Sequence, residues 1–180
     1  MIPGYSPGTW AIDADRSKLR FSVKHLGVQT VHGTVRVEGQ IVVAATPIDS
    51  TVSAVIDLGS VDTKSAGRDK AIRSAPLFDV ASHPTAEYRS TRMTPDPAAG
   101  DAGAFVLDGE LAFMGVTRAV PLQIHLERFI TEAGRTTLVV TGRGQITRRD
   151  FGLVYRVRPR FLDRAIGQNV DIDIRLEGSP

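Results

Sequence analysis

Apolar and polar residues alternate with a period of two through most of the chain. Leu19, Phe21, Val23 and His25 share one face, with Lys18, Arg20, Ser22 and Lys24 on the other. The spacing recurs in Val31, Gly33, Val35 and Val37, in Val52, Ala54, Ile56 and Leu58, and in Phe105, Leu107, Gly109, Leu111 and Phe113. It returns at Val120 to Leu126, at Leu138, Val140, Gly142 and Gly144, at Val170 to Leu176, and more briefly around Tyr88. Successive side chains of a strand point to opposite faces, so each run predicts a half-buried strand, and the turn-forming residues between runs predict antiparallel pairing. At least eight strands result. Glu38-Gly39 and Ala133-Gly134 tolerate positive φ and are expected to be hairpin turns. Pro95 to Gly103 is expected to be the longest loop and the place where disorder or an insertion is best accommodated.

One stretch departs from this period. Ser65 is placed to cap a helix that continues through Ala66–Arg73 and stops before Pro76, so a short helix is predicted around residues 65–74, anchored by Leu77 and Phe78. Arg68 stands where a capping box needs Glu or Gln, which leaves the helix dependent on packing.

Many strands and one helix suit either a two-sheet sandwich or a closed barrel. Runs of nine or more alternating residues exceed the usual sandwich strand, and glycines inside strands suit a strongly coiled sheet. The expected fold is therefore all-β: an eight-stranded antiparallel barrel with one short helix, in a single domain spanning residues 1–180. Val, Ala and Gly dominate the alternating positions, with Phe21, Phe105 and Phe113 as large exceptions, so the interior is open to two readings, a packed core or a ligand tunnel.

Composition narrows the chemistry. With 42% hydrophobic residues the chain can build a sizeable core. No cysteine is present, which removes disulfides, thiolate metal sites and cysteine nucleophiles. A net charge of +2 argues against a nucleic-acid partner, although Arg148, Arg149, Arg156, Arg158 and Arg160 bunch together as either a solvated rim or a local anion-attracting patch. No apolar run approaches a membrane span, and the first ten residues lack the features of a signal peptide, so the chain as written is expected to be cytoplasmic, and periplasmic or secreted only if a leader has been removed.

Asp150-Phe151-Gly152 matches the metal-binding tripeptide of protein kinases, but no Gly-rich phosphate loop or catalytic-loop motif accompanies it. The four histidines lack metal-site spacing, and no nucleophile elbow is present, so no metal, cofactor or catalytic residue is assigned. His25 lies on an otherwise apolar face, where it needs a partner or a ligand head group. Arg68 and Asp69 are expected either to form a surface ion pair or to read a charged head group at a tunnel mouth.

Taken in order, Trp10-Ala11-Ile12-Asp13, Ser17, Phe21, His25, Gly33, Asp62-Thr63, Arg68-Asp69, Phe78-Asp79-Val80, Pro84, Tyr88 and Ser90 resemble the YceI-like family. Gly109-Glu110-Leu111, Gly115-Val116-Thr117, Val120, Leu122, Arg148 and Asp150-Phe151-Gly152-Leu153 continue the resemblance. The departures are Arg16 and Ala71 where the family carries His, and Leu77 where it carries Phe. The resemblance implies a lipocalin-like barrel that binds a polyisoprenoid or other long-chain lipid and carries or stores it without catalysis. In that reading Phe21, Val23, Phe78, Tyr88, Phe113, Met114 and Phe151 wall the tunnel, while His25, Arg68 and Asp150 lie nearer polar atoms. Transient membrane contact and a homodimer through exposed strand faces are compatible with it. Two other classes stay open: an enzyme using His25 or Asp150 as base on a prenyl substrate, and a dry-cored interaction module.

Overall fold

The computed structural model describes residues 2–154 and 164–180. The strands are β1 (Gly8–Ile12), β2 (Lys18–His25), β3 (Gln29–Val43), β4 (Thr51–Asp62), β5 (Thr85–Pro95), β6 (Ala104–Phe113), β7 (Val116–Ala119), β8 (Leu122–Glu132), β9 (Arg135–Thr147) and β10 (Ile166–Ser179). Helix α1 (Ala66–Arg73) links β4 to β5, and 3-10 turns occupy Pro47–Asp49 and Arg148–Phe151.

Every pairing is antiparallel, and the sheet closes because β10 pairs with β9 and β2 at once: Ile172 lies opposite Gly144 on one side and Phe21 on the other. Ten strands fill eight positions around the ring. β1 and β2 run end to end along β3, with Ile12 opposite Gly39 and Leu19 opposite Val35, so together they form one interrupted strand. The break at Asp13–Ser17 is bridged by the Ser17 hydroxyl, which accepts from the Glu177 N–H at 3.0 Å and donates to the Glu177 carbonyl at 3.4 Å. β7 and β8 likewise share the flank of β6, separated at Val120-Pro121. The barrel expected from strand length is thus the observed architecture, and a flat sandwich is excluded.

The alternating faces fall as the sequence predicts, with Val35, Val37, Ile41 and Val43 buried and Thr34, Arg36, Glu38 and Gln40 exposed along β3. Ala133-Gly134 makes the β8–β9 turn, with φ of 49° and 77°. Glu38-Gly39 does not turn. It lies inside β3, where Gly39 is opposite both Ile12 and Ala54. A Cβ on Gly39 would stand 2.2 Å from the Ser53 carbonyl oxygen, so this glycine serves strand crowding rather than chain reversal. The Pro95–Gly103 segment is a tight, hydrogen-bonded loop: Asp96 accepts from the Ala98 N–H and Asp101 from the Gly103 N–H, two local turns typical of Asp. The longest connection between described strands is 63–84, which carries α1.

The helix occupies the predicted residues, yet its start is held differently. Ser65 sits at the cap position with an extended backbone and makes no side-chain cap bond. Two helical side chains instead fold back onto Thr63. Asp69 accepts from the Thr63 N–H at 2.9 Å and from its hydroxyl at 2.5 Å, and Arg68 donates to the Thr63 hydroxyl and carbonyl, each at 2.8 Å. Of the two expectations for Arg68 and Asp69, the surface ion pair is replaced by this shared grip on one threonine. Adjacent residues in a helix diverge by about 100°, so both reach the same target only because the chain before the helix curls between them.

Gly39→Ala is expected to cost more than about 2 kcal/mol, through φ of 138° and a backbone clash, whereas Gly134→Ala, with open space around it, costs about 1 kcal/mol. Urea unfolding of the two variants measures the difference.

Candidate functional site

The ring encloses a cavity of about 730 Å³, lined almost throughout by aliphatic and aromatic side chains from β2 to β6 and from β8 to β10. Eight strands leave an interior that side chains fill only if they are large, and here the largest are moved aside. The Phe21 ring lies over Gly33 of the neighbouring strand, where a Cβ would meet ring carbon at 2.2 Å. The Tyr88 ring lies over Gly109 in the same way. Two aromatic rings flattened against the wall leave the middle hollow. Inward residues of β2 and β10, among them Leu19, Val23, Ile172 and Ile174, are only half-buried although the sheet surrounds them, as expected of side chains that face a hollow.

The two ends of the barrel differ. At the far end, Trp10 and Tyr5 pack edge-on against Phe129 with centroids 5.4 and 5.5 Å apart, and Ile2 is buried beside the same core. None of these four lines the cavity, so they close the barrel beyond it. At the opposite end lie the 26–28 hairpin, α1 and the segment after β9. Among the described lining residues, those exposed to solvent are Gln29 and Arg68, both at this end, which is therefore the mouth.

Phe21, Val23, His25, Arg68, Phe78, Tyr88 and Phe113, all singled out from sequence, face this cavity. Met114, Asp150 and Phe151 do not. Met114 occupies the β6–β7 turn with φ of 56°, Asp150 is exposed on a 3-10 turn, and Phe151 is buried behind the wall against Phe113, 5.6 Å between centroids. His25 and Asp150, the two bases considered for catalysis, are thus not brought to one surface of the cavity.

Other lining residues were not anticipated. Arg148 reaches the cavity because the alternation Val140, Gly142, Gly144, Ile146 carries on to the first residue after β9. The two-residue period of the sequence is the signal that places it there. Arg148 is 6% exposed, and its guanidinium donates to the carbonyls of Gly167, Leu153 and Ile166 at 2.8, 2.6 and 3.1 Å. These bonds tie the segment after β9 to the first residues of β10, so this arginine does not belong to a surface patch. Arg149 and Arg164 are exposed, while Arg156, Arg158 and Arg160 lie outside the described residues. Gln29 pairs across from His25, and the two bring polar atoms to the rim on adjacent strands. Ile72 and Leu77 line the cavity from α1 and the turn that follows, so the helix region forms part of the wall near the mouth.

A closed antiparallel barrel around a deep apolar cavity with a polar mouth defines the class of the lipocalin-like proteins. The model of the YceI-like domain matches residues 10–178, and the chain belongs to that family. A UPF0312 protein of Azotobacter vinelandii is 33% identical over 166 residues, covering 89% of this chain and 80% of that protein. Protein YceI of Escherichia coli O157:H7 is 30% identical over 163 residues, with 89% and 80% coverage. Among solved structures, Burkholderia cenocepacia BcnA superposes with a TM-score of 0.76 at 19% identity, covering 92% of this chain and 98% of that one. A polyisoprenoid binding domain from Saccharophagus degradans, implicated in plant cell wall breakdown, gives 0.73 at 22% identity, with 95% and 98% coverage.

Tyr88 links the cavity wall to the frame. Its hydroxyl lies 3.1 Å from the Val120 carbonyl and 3.3 Å from that of Leu107, and burial, with the Asp108 charge adding to it, holds the phenol pKa far above its ordinary value. A raised folded-state value means that this contribution to stability is whole below about pH 10, the ordinary tyrosine value, and is lost as pH rises from there towards the folded-state value. Tyr88→Phe is expected to lose about 1 kcal/mol at pH 7 and to lessen the fall in stability above pH 10. Thermal melts across that range read both effects.

Proposed function

We propose that the whole chain is one lipid-binding unit that carries or stores a long amphiphilic lipid, of the polyisoprenoid class, with its tail in the barrel and its head group at the mouth. The observation that supports this most directly is an apolar hollow, blocked by Trp10, Phe129 and Tyr5 at one end and rimmed by His25, Gln29 and Arg68 at the other. Its 730 Å³ falls within the roughly 300–1,000 Å³ of small-molecule sites. The polyisoprenoid binding named for the Saccharophagus degradans domain supports the choice of ligand class.

Affinity in such a site does not follow from burial alone. At about 0.8 kcal/mol per carbon, a tail of roughly forty carbons would contribute about 32 kcal/mol, beyond the practical ceiling near 20. A lipid of that kind leaves a bilayer rather than water, so most of the hydrophobic gain cancels, and selection falls to tunnel shape and head-group contacts. His25 and Gln29 offer neutral hydrogen-bonding groups, and Arg68 offers a cation whose Nε and one terminal nitrogen already bond Thr63. The second terminal nitrogen faces an anionic head group in this reading.

Denaturing the purified protein and extracting it into organic solvent is expected to release a stoichiometric prenyl lipid detectable by mass spectrometry. Val23→Trp is expected to reduce bound lipid at least about tenfold while shifting the lipid-free melting temperature by less than about 4 °C, because the indole enters empty space. No lipid in the extract, together with no uptake of added prenyl lipid, overturns the proposal. A large loss of stability in the lipid-free Val23→Trp protein points to a dry, packed interior instead.

A further inference from the structure

The geometry points to the mouth end of the barrel as a membrane-docking end, in which the Leu26–Val28 hairpin tip enters the interface of an anionic bilayer while the basic loops beside it meet lipid phosphates. The inference deepens the carrier reading and rests on it for the need to meet a membrane. Among the described residues the exposed large apolar side chains are Leu26, Val28, Val154 and Ile48, at 62%, 87%, 36% and 44%. The first three belong to the mouth end, two of them at the tip of one hairpin, and only Ile48 lies at the far end.

Leu26 occupies a costly position. Both central residues of the His25–Val28 turn have positive φ, 53° at Leu26 and 71° at Gly27, a conformation that suits Gly, Asn or Asp and strains a leucine. The turn is closed by the Val28 N–H on the His25 carbonyl at 3.3 Å, and the Leu26 N–H donates to the Ala165 carbonyl at 2.6 Å, which seats the tip against the start of β10. The backbone is fixed, but the leucine side chain faces solvent, so packing returns nothing for the strain. Entry into a bilayer interface would bury it.

Charge divides along the barrel axis in the same sense. The described loops at the mouth end carry Lys64, Arg68, Lys70, Arg73, Arg149 and Arg164 against Asp69, Asp79 and Asp150; Asp69 is buried on Thr63, and Lys64 is paired at 2.6 Å with Asp62 at the end of β4. Lys24 adds an exposed cation next to the hairpin tip. The far-end loops 2–7, 44–50, 96–103 and 133–134 hold Asp49, Asp96 and Asp101 and no Lys or Arg, and the strand ends beside the last turn add one charge of each sign, Glu132 and Arg135. An anionic surface therefore attracts the mouth and repels the closed end, which orients the opening toward the lipid.

Sedimentation with vesicles tests this on the chain of residues 1–180. The parent is expected to partition onto phosphatidylcholine vesicles containing phosphatidylglycerol at least about fivefold more than onto pure phosphatidylcholine, and added salt should reduce the difference. Leu26→Asn, which sets the favoured Asn-Gly pair in the turn, should raise the melting temperature while lowering partition about tenfold, a combination that damaged folding cannot produce. Ile48→Asn should leave partition unchanged. A Leu26→Asn, Val28→Ser double variant that binds as the parent does, an equal loss in Ile48→Asn, or a parent indifferent to phosphatidylglycerol overturns the inference. Protein that releases lipid on extraction yet ignores both vesicles sinks docking alone. Protein that docks but neither holds nor takes up lipid sinks the carrier reading.

Discussion

Space is the governing constraint in this molecule: a ring of eight strand positions encloses more volume than its inward side chains fill. β-Branched and aliphatic residues supply most of the lining, and the two rings best placed to plug the centre are pressed over Gly33 and Gly109. Protein interiors normally approach crystal packing density, and a void of this size costs dispersion contacts along its whole surface. The cost is distributed over many small residues rather than concentrated at one, which lets the sheet remain closed around it.

Polar groups near the cavity are organised by the same geometry. Arg148 and Asp69 are buried and Arg68 stands exposed at the mouth, and each is held by bonds to backbone or to Thr63. A buried charge without such bonds would be severely destabilising. With them, each side chain does two tasks, since Arg148 fastens the start of β10 while lining the cavity, and Arg68 and Asp69 secure the helix whose neighbours form the wall.

Most of the barrel was readable from the two-residue period, because a strand with one wet and one dry face has no other way to satisfy both solvents. The register of inward residues from Leu19 to His25 followed directly, and so did the helix at 66–73. Glu38-Gly39 misled because residue type alone does not distinguish a glycine that turns from one that makes room, and only the presence of β1 and β4 on either side decides it. Tertiary context also hid the split positions: nothing local in Asp13–Ser17 says that the strands before and after it are collinear. Within the site, alternation located Phe21, Val23 and Tyr88, but Met114, Asp150 and Phe151 follow turns where the period breaks. The family resemblance named them without placing them.

Closure depends on β10, which joins residues 166–179 to β2 near the beginning of the chain and to β9. During synthesis, everything from β1 to β9 leaves the ribosome before this last segment, and until it arrives β2 and β9 remain unpaired edges flanking an exposed apolar sheet. The barrel can therefore become watertight only in a late, long-range step, with a high loop-closure entropy to overcome. The nascent chain has to be kept from pairing with its neighbours over that interval, so the hollow that the closed sheet encloses is, until β10 is in place, an open apolar face in need of shelter itself.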